Sequence, residues 1–201
     1  MKSVLISTQP KWCDKIGREI GTDKNGKTIY EKTIEVRKTK PSIPTPFKVY
    51  IYCTKGKDGY EWLYRVDNNG YGKAQSWHGK VIGEFICDKV DEYTFSHYEA
   101  EYRVTHVEQK EMCLNQPELI RYGKGETLYG WHISQLEIYD KPKELSEFYT
   151  IDESGNDCCI ACVYHETPIK EMPCRTCTGE RRYLYRPPQS WCYVQELEVK
   201  I

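Results

Sequence analysis

Residues 31–38 read Glu31-Lys32-Thr33-Ile34-Glu35-Val36-Arg37-Lys38. Apolar Ile34 and Val36 alternate with Thr33, Glu35 and Arg37, the period of two that marks a half-buried strand. On that spacing Thr33, Glu35 and Arg37 share one face and Lys32 falls on the other. A lysine at the mouth of a strand has a long stem and can bend round. Two readings stay open. One is an ordinary exposed strand face with an i, i+2 ion pair worth well under about 1 kcal/mol. The other is the edge of a site in which a hydroxyl, a carboxylate and a guanidinium stand in a row.

Upstream of this stretch, Val4-Leu5-Ile6 reads as a first strand. Ser7-Thr8-Gln9-Pro10 can cap a helix, with Pro10 in its first turn. That helix runs from Lys11 to Ile16 or Ile20, with Trp12, Ile16, Cys13 and Ile20 turned inward. Asn25-Gly26 is a strong hairpin signal and leads into the charged stretch. Downstream, the three prolines of residues 40–46 impose an extended loop. Phe47 to Thr54 then alternates, with Val49, Ile51 and Cys53 opposite Lys48, Tyr50, Tyr52 and Thr54. Residues 55–78, with a turn at Asp67-Asn68-Asn69-Gly70, read as a variable hairpin.

Lys80 to Cys87 is another strand, in which Gly83 marks a bulge or a close backbone approach. Thr105-x-x-Glu108 is a capping box opening a helix from about His106 to Leu114. A shorter helix from Pro117 to Tyr122 is closed by Gly123. Thr127 to Tyr139 predicts one or two strands, Pro142 to Tyr149 a short helix, and Trp191 to Val199 a closing strand. Strands outnumber helices and are mostly antiparallel. This predicts an α+β protein built on a small, partly open mixed β-barrel with connecting helices.

Composition narrows the function classes. Only 39% of the 201 residues are hydrophobic, and 17 tyrosines and 5 tryptophans supply much of the core material. Such side chains also suit flat binding surfaces. A formal net charge of −1 excludes a global basic field, so any nucleic acid must be held by a local patch. No apolar run approaches the roughly 20 residues that span a bilayer. Met1 to Ser7 is too short for a signal peptide and lacks a small-residue cleavage site. The expected location is cytoplasmic, where the ten cysteines stay reduced or bind metal.

Half of those cysteines fall within residues 158–177. Cys159-x-x-Cys162 and Cys174-x-x-Cys177 are two knuckles whose thiolates can close a tetrahedron round zinc. Four thiolates leave no open position, so the predicted zinc is structural. Metal binding can supply on the order of 10 kcal/mol to such a small apolar-poor unit. Cys158 and His165 remain substitutes for one of the four ligands.

Lys32-x-x-Glu35-x-Arg37, after a strand and the helix Pro10-Lys11-Trp12-Cys13-Asp14-Lys15-Ile16, resembles the signature of ASCH domains, small β-barrels of the PUA-like superfamily. The usual motif has glycine two residues before the lysine, where this chain has Tyr30. The chain also carries extra residues, about 17–30, between helix and motif. Ser7 to Cys13, Thr127 to Ser134 and Arg186 to Val194 resemble a phage and gut-bacterial branch of that family. The resemblance divides the chain into a barrel of residues 1–150 plus 186–201 and a Cys-rich, zinc-ribbon-like insertion of residues 151–185.

The resemblance implies a cleft beside the barrel that binds RNA or a modified base or nucleotide. Lys32 and Arg37 suit phosphate, and arginine can also grip a base edge. Glu35 can accept from an exocyclic amine. Trp12, Trp131 or Trp191 can stack on a base, with Lys11 and His132 as further contacts. For each tryptophan the competing role is a core residue, and for His132 an ordinary satisfied histidine.

A binding module without chemistry is the leading expectation. An alternative is a hydrolase of N4-acylcytidine type, or a ribonuclease, using Lys32 and Glu35. Glu35, however, stands where the amidohydrolases carry a threonine nucleophile, and Thr33 is the nearest hydroxyl. A third reading is a protein-interaction adaptor that docks through the zinc insertion.

Overall fold

Apolar runs flanked by polar turns build the centre of the molecule. The computed structural model describes residues 2–56, 63–66, 72–75, 77–151 and 183–197. Strand β1 (Lys2–Thr8) is followed by helix α1 (Pro10–Gly17), the hairpin of β2 (Glu19–Thr22) and β3 (Thr28–Tyr30), β4 (Ile34–Arg37) and β5 (Phe47–Cys53). A second hairpin pairs β6 (Leu63–Val66) with β7 (Gly72–Gln75). Next come β8 (Lys80–Tyr93), the two-residue strands β9 (Phe95–Ser96) and β10 (Glu101–Tyr102), and helices α2 (His106–Met112) and α3 (Gln116–Gly123). The long β11 (Leu128–Glu144) and β12 (Trp191–Gln195) complete the described elements.

Six strands form one sheet in the order β12-β1-β5-β8-β11-β4. All neighbours are antiparallel except β1 and β5, which run parallel from Val4 opposite Val49 to Thr8 opposite Cys53. The sheet is not closed, since β4 and β12 do not pair. It is nevertheless strongly curled. Four strand spacings separate β4 from β1, about 19 Å in a flat sheet, more than an arginine side chain spans. Yet the Nη1 atom of Arg37 on β4 lies 2.9 Å from the Ser7 carbonyl on β1. The expected partly open barrel is thus a curled, unclosed mixed sheet, bridged at its opening by side chains.

Inside the curl, Val4, Ile6, Val49, Ile51, Phe85 and Trp131 pack with Cys13 and Ile16 of α1. A second cluster covers the outer face of β5, where Tyr50 and Tyr52 meet Phe148 and Leu184. A third joins Ile34 and Val36 of β4 to Met112 of α2 and Leu119 of α3. Both helices begin with a complete capping box. Thr105 Oγ1 accepts from the Glu108 amide and Glu108 Oε2 accepts from the Thr105 amide, and Asn115 and Glu118 repeat the exchange. Each cap satisfies orphan N–H groups and contributes about 1 kcal/mol.

Several expectations are corrected. Strands β4 and β5 are buried on both faces. On β4 the helices cover Ile34 and Val36, while Glu35 and Arg37 are held in buried ion pairs. On β5 the main core covers Val49 and Ile51, while the second cluster covers Tyr50 and Tyr52. Residues 142–144 continue β11, pairing Lys143 with Val81 and Glu144 with Lys80, so only a 3₁₀ turn (Leu145–Glu147) remains of the expected helix. Ile20 is 60% exposed, since α1 ends at Gly17 and the chain turns into β2. Gln9, at the cap of α1, makes no side-chain cap bond, although Pro10 does occupy the first turn. Gly123 is the last residue of α3, and the left-handed cap is Lys124.

Gly83 does mark a close approach: a Cβ there would stand 2.3 Å from the Glu137 carbonyl oxygen of β11. The described segments on either side of residues 152–182 lie side by side, as Tyr149 bridges Tyr183 and the Leu184 amide donates to Phe148 O at 2.7 Å. The cysteine knuckles and His165 lie between, outside the described residues. Among the described residues no helix is long and apolar enough to cross a membrane.

Candidate functional site

The segment entering β4 is pinned from both sides. The Lys32 amide donates to Lys15 O at the end of α1, and the Thr33 amide to Glu111 O near the end of α2. Glu31 is held by Lys15 (2.6 Å) and Arg18 (3.2 Å). This clamp ends the alternation one step before Ile34, and the Lys32 side chain turns inward. Its Nζ donates to Ile34 O and Met112 O, both at 2.7 Å, and stands 3.4 Å from Glu35 Oε2. Spacing alone assigned Lys32 to the opposite face; its stem carries the ammonium round to the carboxylate.

Glu35 Oε1 accepts from Arg37 Nη2 at 2.8 Å. Arg37 also donates from Nη1 to Ser7 O (2.9 Å) and Ser190 O (3.3 Å), and from Nη2 to Thr8 Oγ1 (3.0 Å). All three side chains are at most 7% exposed. The exposed-face reading of residues 31–38 is therefore wrong: this is a buried, hydrogen-bonded ion triad. Burial is the main influence on Lys32 and pulls its pKa below the ordinary lysine value, against the opposing pull of Glu35. A buried triad of this kind gains little net stability from its charges, but losing one member is costly.

Its donor inventory decides its chemistry. The Lys32 ammonium has three N–H groups, and two carbonyls and Glu35 take them. Arg37 has both Nη groups occupied, while its buried Nε has no partner among the described residues. Neither cation is free to clamp a phosphate. What the triad offers is Glu35, whose two oxygens each keep a second lone-pair position.

Glu35 lies in the wall of a cleft of about 840 Å³, within the range of small-ligand sites. The cleft occupies the opening of the sheet, between β4, the end of β1, the start of α1, helix α3 and residues 189–190. Trp12 is half-buried in its wall, with Lys11 Nζ 4.7 Å and Lys32 Nζ 5.2 Å from the ring centroid. Tyr122, 38% exposed, lines it from α3, with Lys38 Nζ 5.6 Å from its ring. The exposed cations Lys11 and Arg121 and the half-buried Lys38 stand round the lining, with Glu118 among them.

Of the expected site residues, the cleft brings together Lys11, Trp12, Lys32, Glu35 and Arg37. Trp131 is fully buried, edge-on to Phe47 at 5.6 Å between centroids, and is a core residue that no base can reach. Trp191 packs between Trp131 and Tyr193 and donates from Nε1 to Thr39 Oγ1, outside the lining. His132 pairs with Asp91 at 2.8 Å on β8 and also lies outside it. So does Thr33, whose hydroxyl is the only one next to the lysine in sequence. Sequence reasoning missed Tyr122, Arg121 and Thr8. Tyr122 and Arg121 share a turn of an amphipathic helix whose caps are legible but whose docking position is not.

Among the described residues no group of three or more His, Cys, Asp or Glu could hold a metal. The described cysteines, Cys13, Cys53, Cys87, Cys113 and Cys192, are all free thiols.

No family model matches the sequence, and no curated protein matches it. The structure is similar to crystal structures of an ASCH protein from Zymomonas mobilis. That protein is 16% identical over 71% of this chain and 73% of its own, with a TM-score of 0.42. One point mutant of it is 16% identical over 72% and 77% (TM-score 0.43), and a second is 14% identical over 96% and 89% (TM-score 0.45). The functional reading rests on the residues of the cleft.

Proposed function

We propose that this protein is a nucleotide-binding module that reads a base, in RNA or as a modified nucleotide, without chemistry of its own. The carrying observation is Glu35, a carboxylate held in the wall of a nucleotide-sized cleft by Lys32 and Arg37. A base directed at Glu35 can stack on Trp12 once the flexible Lys11 side chain swings off the ring, a contact worth about 1–3 kcal/mol. Phosphates then fall to Lys11, Lys38 and Arg121, which lie further out. This reverses the expected division of labour, in which Lys32 and Arg37 took the phosphate. A local patch of three cations also fits a chain of net charge −1. Electrophoretic mobility shifts with single-stranded RNA, single-stranded DNA and duplex DNA test the reading, and no binding to any of them at low salt refutes it.

One observation favours a second reading, a hydrolase of modified nucleosides or RNA: burial lowers the pKa of Lys32 beside Glu35, as in acid–base pairs. Against it, the ammonium is bonded to two carbonyls and Thr33 is not in the lining. Incubation with N4-acetylcytidine and labelled RNA, with Lys32→Ala and Glu35→Ala as controls, decides between them. Turnover unchanged in both variants removes these residues from any mechanism.

We also propose that Cys159, Cys162, Cys174 and Cys177 hold a structural zinc in a reducing, cytoplasmic setting. The support is the spacing of the two knuckles and the paired ends of the chain at Tyr149 and Tyr183. Metal analysis should find one zinc per chain, reduced in Cys174→Ser.

A further inference from the structure

Glu35 and Arg37 present a hydrogen-bonding edge as well as charge. Glu35 Oε1 and Oε2 each carry one bond, to Arg37 Nη2 and Lys32 Nζ, which leaves two acceptor positions side by side. The Nε–H of Arg37 is buried and has no partner among the described residues, although Arg37 lines the cleft. These two acceptor positions and the orphan donor belong to residues two apart in one strand, both of which line the cleft. A buried donor left unpaired is costly, so a ligand that meets it gains accordingly.

The four bases differ in how fully they match this pattern. The Watson–Crick edge of guanine carries two adjacent donors, N1–H and the N2 amine, next to the O6 acceptor. It can satisfy both Glu35 positions and the Arg37 Nε–H. Cytosine and adenine offer one amine beside a ring-nitrogen acceptor, which leaves a Glu35 position unmet. Uracil places a single N3–H between two carbonyls, and its second carbonyl would face the carboxylate. The triad carries a formal charge of +1, which favours an acceptor such as O6 at the Arg37 side.

We propose that the cleft selects guanine, reading N1–H and the N2 amine with Glu35 and O6 with Arg37 Nε. This rests on the nucleotide reading of the same cleft.

Isothermal titration of the full chain with the 5′-monophosphates of guanosine, inosine, adenosine, cytidine and uridine tests it. GMP should bind tightest. Inosine monophosphate keeps N1–H and O6 but lacks the amine, and should bind about tenfold more weakly. That comparison needs no variant, so folding does not enter. Glu35→Gln, which puts an amide donor where the carboxylate was, should abolish the preference for GMP over inosine monophosphate. Equal affinity for GMP and inosine monophosphate, or tighter binding of another base, overturns guanine selection while leaving the nucleotide reading intact. Failure of all five to bind at millimolar concentration overturns both.

Discussion

Replacing Glu35 by alanine tests the triad most directly. The carboxylate lies 2.8 Å from Arg37 Nη2 and 3.4 Å from Lys32 Nζ, and all three groups are at most 7% exposed. Its removal leaves two buried cations facing each other with no anion between them. Breaking a buried pair by deleting one partner costs about 3–5 kcal/mol, a large part of the 5–15 kcal/mol that holds a typical domain together. The loss should depend on pH in a defined direction. Burial holds the folded-state pKa of Lys32 below the value near 10.5 of an unfolded lysine. Between those two values the unfolded chain binds the extra proton, so stability rises with pH. In Glu35→Ala the charge that favours the ammonium is gone and the folded-state pKa falls further. The Lys32 part of the deficit relative to wild type is thus full below the folded-state pKa of the variant. That part should shrink as pH rises from there to the wild-type folded-state pKa of Lys32, above which only the unpaired Arg37 contributes to the deficit. Urea unfolding followed by far-ultraviolet circular dichroism at pH 7 and pH 10 measures both quantities. A deficit below about 1 kcal/mol at pH 7, or one that stays constant between the two pH values, refutes the buried-triad account.

Four other outcomes are expected. Trp131→Ala should lower stability by about 3–5 kcal/mol, as for any large core aromatic; Trp12→Ala should leave the unfolding midpoint nearly unchanged but weaken nucleotide binding, by calorimetry, by about 1–3 kcal/mol. Removing Lys11, Lys38 or Arg121 one at a time should reduce the salt dependence of RNA binding, each lowering the slope of log affinity against log salt by about 0.7. Gly83→Ala, whose Cβ would meet a backbone oxygen at 2.3 Å, should destabilise by about 1–3 kcal/mol in the same urea assay.

Local grammar in the sequence carried much of the fold. Thr105-x-x-Glu108 opens α2, Pro10 starts α1 and Asn25-Gly26 turns the β2–β3 hairpin, because each device is completed within a few residues. The alternation of Phe47 to Cys53 located β5 but misjudged its polar-looking face. Tyr50 and Tyr52 are covered by Phe148 and Leu184, about a hundred or more residues away, and nothing local announces that cover. Likewise Pro142 suggested a helix start, whereas its segment is held as strand by Lys80 and Val81 across the sheet. In the site, the spacing of Lys32, Glu35 and Arg37 located the charged groups but misassigned their tasks. Their burial depends on Met112 O, Ser7 O and Ser190 O, which only the folded topology supplies. Trp131 is fully buried and Trp191 packs against it outside the cleft lining for the same reason: aromatic identity does not say which side of a curled sheet a ring will face.

The pairing of β1 with β12 sets the order in which this molecule can be finished. Ile6 lies opposite Trp191, far along the chain. At about 5–20 residues per second, synthesis leaves the outer edge of β1 unpaired for roughly 10–40 s after it emerges. Gln189 and Ser190, which line the cleft, and the Ser190 carbonyl that helps hold Arg37, arrive with β12. A nascent chain therefore carries Lys32, Glu35 and Arg37 long before it has the cleft that employs them. The cleft is therefore completed late in synthesis, and a chain halted before residue 189 would lack one of its walls.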